Sequence, residues 1–236
     1  MTHRILLATL IAISGSLVAR ADTKSDVQAA AQKLAAADSY SWKSTTEGGQ
    51  GRGAGPIEGK AQKDGLVMLT ITRNDNSMEV FLKGGKGALK TADGWKSLAE
   101  ASEDTGQQNP GRFVARMARN FKAPAKQAED LAGKAKELAK SEDAYSGELT
   151  EEGAKELLAF GRRGGDANNG PQVSNAKGTV KFWIKDGQLS KMETHVEGSV
   201  SFNGQDRDVN RTTTVEIKDV GATKIEVPAE AKAKME

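Results

Sequence analysis

The stretch from Gly178 to Gly221, GTVKFWIKDGQLSKMETHVEGSVSFNGQDRDVNRTTTVEIKDVG, alternates apolar and polar residues over most of its length. A period of two lays one set of side chains on each face of a pleated strand and fits no helix. Asn203-Gly204 is a strong hairpin signal, because both residue types accept the positive φ of a two-residue turn. Zipping back from that turn sets Val196 opposite Arg211, Thr194 opposite Thr213 and Met192 opposite Val215. The apolar even positions Met192, Val196, Val200 and Phe202 then share one side of the sheet with the odd positions Val209, Val215 and Ile217. At Asp186-Gly187 a two-residue loop would set Phe182 opposite Lys191. A bulged three-residue loop, Asp186 to Gln188, sets Phe182 opposite Met192 and Val180 opposite Thr194, and is the form expected. Residues 177–218 are thus an antiparallel meander. One face is apolar, and the other carries Lys181, Trp183, Lys185, Lys191, Glu193, His195 and Glu197.

Upstream, shorter strands precede a helical middle. Ser25 and Gln28 form a capping-box pattern, and Val27, Ala31 and Leu34 recur at helical spacing up to about Asp38. Tyr40 to Glu47 reads as a strand, followed by the loop GGQGRGAGP from Gly48 to Pro56. Two hairpins follow: Ile57 to Arg73, with a type I′ turn at Asp64-Gly65, and Ser77 to Thr91, with Gly84-Gly85 at its tip. Asp93-Gly94-Trp95 closes this run. Phe113, Val114, Met117 and Phe121 make an apolar helical stripe that Pro124 ends, and Ala125 to Lys140 is predicted as a second helix. Tyr145 to Leu149 is a short strand, Thr150 caps a helix carrying Leu157, Leu158 and Phe160, and Gly161 to Asn175 is a loop.

The first 21 of the 236 residues have the form of a cleavable export signal: Arg4, the apolar run Ile5 to Ile13, and a small-x-small site ending at Ala21. The expected mature N-terminus is Asp22, and the expected location is periplasmic or secreted. The run is too short for a stable span across ~30 Å of hydrocarbon, and no later segment is apolar enough to cross. Arg4 and Arg20 lie in this leader, which holds no acid, so the remaining 32 basic residues balance 32 acidic ones. That balance argues against nucleic-acid binding. There is no cysteine, which excludes disulfides, thiolate chemistry and an acylated lipobox. After cleavage His195 is the single histidine, so no His-rich metal site can form.

The order of signal, helix, meander, helical insertion (about residues 110–160) and three closing strands resembles the periplasmic lipoprotein-carrier superfamily of the LolA/LolB and LppX/LprG types. GTVKFWIKDGQLSKMET from Gly178, YSGELTEEGAKELL from Tyr145 and the tail from Gly221 to Lys232 carry the resemblance. It implies an α+β fold for residues 22–236 as one domain: a curved antiparallel sheet, an incomplete barrel, with helices over its concave face. It also implies a lipid or an acylated protein as partner. The sequence's own contribution is the apolar sheet face, with Val180, Phe182, Ile184, Met192, Val196, Val200, Val215 and Ile217, and the helical stripe Phe113, Met117 and Phe121. These are the candidate ligand-binding residues. No catalytic residue, metal or cofactor is expected, and a monomer is. The alternative is a non-catalytic envelope protein on the same scaffold with a filled core.

Other motifs read as plain structure. The glycines at 48, 49, 51, 53 and 55 lack the Gly-Lys-Ser/Thr ending of a phosphate loop. Asp166 to Gly170 lacks the twelfth-position Glu of a calcium loop. His195 between Glu193 and Glu197 fits a solvated cross-strand patch, and Arg162-Arg163 and the lysines from Lys126 to Lys140 fit solvated faces.

Overall fold

The computed structural model describes residues 22–48, 55–73, 76–103, 110–142, 144–159, 172–202 and 205–236. Eleven strands among them form one antiparallel sheet: β1 (Ser39–Gly48), β2 (Ile57–Gln62), β3 (Val67–Arg73), β4 (Asn76–Lys83), β5 (Lys86–Thr91), β6 (Gly94–Ser97), β7 (Ala139–Ser141), β8 (Ala144–Glu148), β9 (Gln172–Lys185), β10 (Gln188–Phe202) and β11 (Gln205–Lys218). Their spatial order is β6-β5-β4-β3-β2-β1-β11-β10-β9-β8-β7. Two meanders are therefore joined by pairing of β1 with β11, and β6 and β7 are the free edges of an open, curved sheet. The chain leaves at one edge and must re-enter at the other. The helices of the insertion make that crossing, and the fold is α+β as expected.

Among the described residues six helices accompany the sheet: α1 (Thr23–Ala35), α2 (Leu98–Glu103), α3 (Pro110–Arg119), α4 (Pro124–Lys134), α5 (Glu151–Leu158) and α6 (Ala229–Ala233). Asp22, not Ser25, caps α1: its carboxylate accepts from the Lys24 and Ser25 N–H groups and from the Ser25 hydroxyl. An aspartate outcompetes a serine for several orphan donors at a positive helix end. Thr150 caps α5 by accepting from the Gly153 N–H at 3.0 Å. Pro124 opens α4 at its first position, where a missing N–H costs nothing. That helix stops at Lys134, short of the predicted Lys140. Ala135 instead bridges to Leu149, and Ala139–Ser141 joins the sheet as β7. Helix α2 was not foreseen.

The closing meander has the registers read from the sequence. Val196 faces Arg211, Thr194 faces Thr213, Met192 faces Val215, Phe182 faces Met192 and Val180 faces Thr194. The Asn203-Gly204 tip lies outside the described residues, but Phe202 pairs with Gln205 on either side of it. The Asp186-Gly187 loop differs from expectation. It is a two-residue turn with φ of 54° and 70°, and Gln188 pairs with Lys185. The register shift comes later, as a bulge at Ser190 between Leu189 and Lys191. The bulge lets Leu189 and Met192, three apart, point to the same side, and both are buried. At Asp64-Gly65 the difference is reversed. Gly65 alone has a positive φ (83°), and Gln62 and Leu66 bracket a three-residue loop in place of the predicted type I′ turn. β9 also begins at Gln172, within the stretch read as a loop, and is bulged beside Asn175 (φ 53°).

The face carrying Met192 and Val215 is the inner face. Helices α1 to α5 lie over it, and their Val27, Leu34, Val114, Ala118, Ala128, Leu131 and Leu158 join the sheet in one buried layer. Each fully buried Phe, Leu or Met in that layer contributes roughly 1.5–3 kcal/mol. Among the described residues the outer face is covered at its β3–β6 end. There Phe81 and Ala88 sit beneath Ala231 of α6, with Ile225, Val227, Met235, Met68 and Trp95 around them.

Candidate binding face between the sheet and the helices

Val180, Phe182, Met192, Val196, Val200 and Val215 are brought together on the inner face at 0–6% exposure. Ile184, Ile217, Met117 and Phe121 are half-buried against the same layer. Phe113 is not with them. It is 46% exposed, while its neighbours Val114 and Ala115 face the core. The predicted stripe took one residue too many, since the core-facing arc of α3 is centred on Val114, Ala115 and Ala118. The export signal, residues 1–21, and Phe160 lie outside the described residues.

Other residues of this layer passed unnoticed in the sequence. Trp42, opposite Ile217 on β1, stacks on Phe121 with ring centroids 5.9 Å apart and planes at 15°. Its indole lies across Gly59 of β2, where any side chain would collide with the ring. Tyr40 is buried two residues earlier. Burial pushes its ionisation up to about 12, partly offset by a hydrogen bond from the Ala125 backbone N–H at the start of α4. The alternation Tyr40-x-Trp42 was a signal that could have placed both. Arg211 and Thr213 also point inward, as the Val196–Arg211 register requires. Opposite them on β1 lie Gly48 and Thr46, and the two threonine hydroxyls are 3.2 Å apart. A polar track of Ser44, Thr46, Thr213 and Arg211 therefore runs along the centre of an otherwise apolar face, with Ser44, Thr213 and Arg211 half-buried and Thr46 exposed.

A void wide enough for water would leave its lining accessible. The near-zero exposure of the central side chains means that this conformation fills the layer with the protein's own atoms. An acyl chain enters only if part of the cover moves. The helices over β8–β10 are tied down. The Thr23 hydroxyl donates to the Leu138 carbonyl (2.6 Å), Lys24 Nζ to Ala135 (2.6 Å) and Lys33 Nζ to Asp186 (2.7 Å), and the Tyr145 hydroxyl donates to Asp26 (3.0 Å). Lys134 of α4 pairs with Glu156 of α5. Over β1 the cover is held by the apolar Trp42–Phe121 stack and by the hydrogen bond from the Ala125 N–H to the Tyr40 hydroxyl.

Two hollows of about 510 and 360 Å³ lie elsewhere. One is lined by Lys86, Ser97, Glu100, Arg119 and Lys234, the other by Ser41, Lys43, Glu58, Lys60, Lys218 and Asp219. Neither includes a predicted binding residue. On the outer face His195 Nδ1 is 3.1 Å from the Thr212 hydroxyl, and Trp183 sits between the ammonium groups of Lys181 and Lys191 at 4.8 and 4.5 Å. Among the described residues no three His, Asp or Glu side chains are grouped to hold a metal ion, and no helix is long and apolar enough to cross a membrane.

No protein-family model and no curated protein matches the chain. Solved structures similar to it include the following two. LprF from Mycobacterium bovis has a TM-score of 0.49 and 11% identity over 89% of this chain and 97% of that one. The Mycobacterium tuberculosis lipoprotein LppX has a TM-score of 0.46 and 11% identity over 87% of this chain and 98% of that one. At that identity and with TM-scores below 0.5 neither likeness carries an argument here, and the fold rests on the strand order and registers above.

Proposed function

We propose that this chain is an exported, non-catalytic carrier or sensor that holds a lipid or a protein-bound acyl chain between the inner sheet face and the helices. In this reading residues 22–236 act as one monomeric domain, periplasmic or secreted. The observation that carries it is the inner face itself: a largely apolar surface, crossed by one polar track and roofed by short, separate, alanine-rich helices in place of a second sheet. Such helices contribute little bulk, so part of the roof can lift without rebuilding the sheet. The Trp42–Phe121 stack is the proposed point of opening. Binding is then burial without chemistry, worth about 0.8 kcal/mol per CH₂ transferred. Val180, Phe182, Ile184, Met192, Val196, Val200, Val215, Ile217, Met117 and Phe121 are the proposed contacts.

A second reading is favoured by the packing of the same layer. Phe182 and its neighbours are already fully enclosed, which suits a filled structural core. Titration with a fluorescent long-chain fatty acid separates the two. A carrier takes up the probe saturably, and Val196→Trp weakens uptake while the fold survives. A filled core shows no uptake in the native chain, and the same substitution costs ~1–3 kcal/mol by overpacking.

A further inference from the structure

The β10–β11 register places two basic residues on the inner face, Arg207 opposite Val200 and Arg211 opposite Val196; Arg207 is exposed, and Arg211 is the half-buried one. Its guanidinium donates to the Leu157 carbonyl at the end of α5. Among the described residues it forms no ion pair, and burial alone holds its ionisation below the usual arginine value. A cation at a helix C-terminus is favourable, so capping α5 accounts for one donor. It does not account for a half-buried charge against an apolar face with no counter-ion among the described residues, an arrangement that an incoming anion would favour. A guanidinium presents several N–H donors in a rigid fork suited to a carboxylate or phosphate. The hydroxyls of Thr46 and Thr213 lie one register step away on the same face, and the track they begin leads through Ser44 and Val215 toward Trp42 and Ile217.

From this geometry we propose that Arg211 seats the anionic headgroup, a carboxylate or phosphate, of the acyl ligand, with Thr46 and Thr213 as supporting donors and the chain running toward Trp42. The proposal rests on the carrier reading and names the ligand class of that site. It predicts that the native protein binds oleate at least about tenfold more tightly than methyl oleate, the size of one hydrogen bond to a charged group. In Arg211→Gln that ratio falls toward one, and Arg211→Lys recovers part of it. Thermal melts of both variants check that they fold. An oleate-to-ester ratio near one in the native protein overturns the headgroup assignment and leaves the carrier reading standing. So does a ratio unchanged in Arg211→Gln alongside a lowered melting temperature, which assigns Arg211 to capping α5. Acetate and inorganic phosphate are titrated in parallel. If they bind as tightly as oleate, with the same dependence on Arg211, the site serves a free anion and the headgroup assignment fails. If neither oleate nor its ester binds, the carrier reading falls and the proposal with it.

Discussion

The two halves of the sheet have the same kind of inner face and opposite outer faces. In β9–β11 the outer face is open, and Trp183 stands there between two lysines. In β3–β6 the outer face is closed by the tail and α6, and Phe81 is completely buried beneath them. Strand alternation alone does not distinguish the halves, since each has an apolar inner set. The outer set decides: Met68, Phe81 and Ala88 against Lys181, Glu193 and His195. The lesson is that the β9–β11 half depends on its helices for one face only, whereas the β3–β6 half is a three-layer structure whose third layer arrives last in the chain.

The sharpest break of this comparison is a pair of truncations at outer positions. Phe81→Ala should cost ~3–5 kcal/mol, the range for a fully enclosed Phe. Trp183→Ala should cost clearly less, about 1–2 kcal/mol, since its ring is only half-buried and its lysine contacts are weak. Chemical denaturation of both variants checks this, and equal losses would mean that the tail does not seal Phe81. On the inner face Gly59→Ala should cost ~1–3 kcal/mol and shift tryptophan emission, because the added methyl displaces the Trp42 ring from its place over β2. An unaltered spectrum and stability would show that the indole does not lie across Gly59.

Smaller effects are linked to pH. Tyr40 ionises near 10.0 when unfolded and at about 12 when folded, chiefly through burial. The native state thus resists ionisation, and the associated stability is complete below pH 10 and is lost as pH rises toward 12. Tyr40→Phe should flatten that alkaline limb of a stability profile. If the limb is unchanged, Tyr40 is not its source. At the tail Glu100 is held down to about 2, first by the hydrogen bond from Lys234 and then by Ser97. Its contribution is present above 4.5 and fades as pH falls through 2. The pair is solvent-exposed, so the effect is small and salt-sensitive. Hydrogen exchange in α6 should rise modestly over that range in the native chain and be indifferent to it in Glu100→Gln.

Much of the closing meander was legible because register is fixed by pattern. One turn signal and one rule, that apolar sets share a face, placed Met192, Val196 and Val215 together. The two Asp-Gly turns show where that logic ends. The same dipeptide makes a two-residue turn at Asp186-Gly187 and part of a three-residue loop at Asp64-Gly65. A bulge can correct a register anywhere along a strand, and at Ser190 it does so after two paired residues, Gln188 and Leu189. The end of α4 was misjudged because Ala135 to Lys140 has helical composition but pairs with the sheet instead, a tertiary choice that propensity does not record. Arg211 was overlooked although the register already turned it inward. It interrupts an apolar set, and an interruption of that kind marks a site more specifically than the apolar residues around it.

The central claim is that the inner face holds an acyl ligand in the cell. Native mass spectrometry of the protein purified without detergent from its own envelope tests it most directly. The account predicts a population heavier than the residue 22–236 polypeptide by the mass of one lipid or fatty acid, released as that species on denaturation. A single unliganded mass, unchanged after incubation with envelope lipid extract, would contradict it.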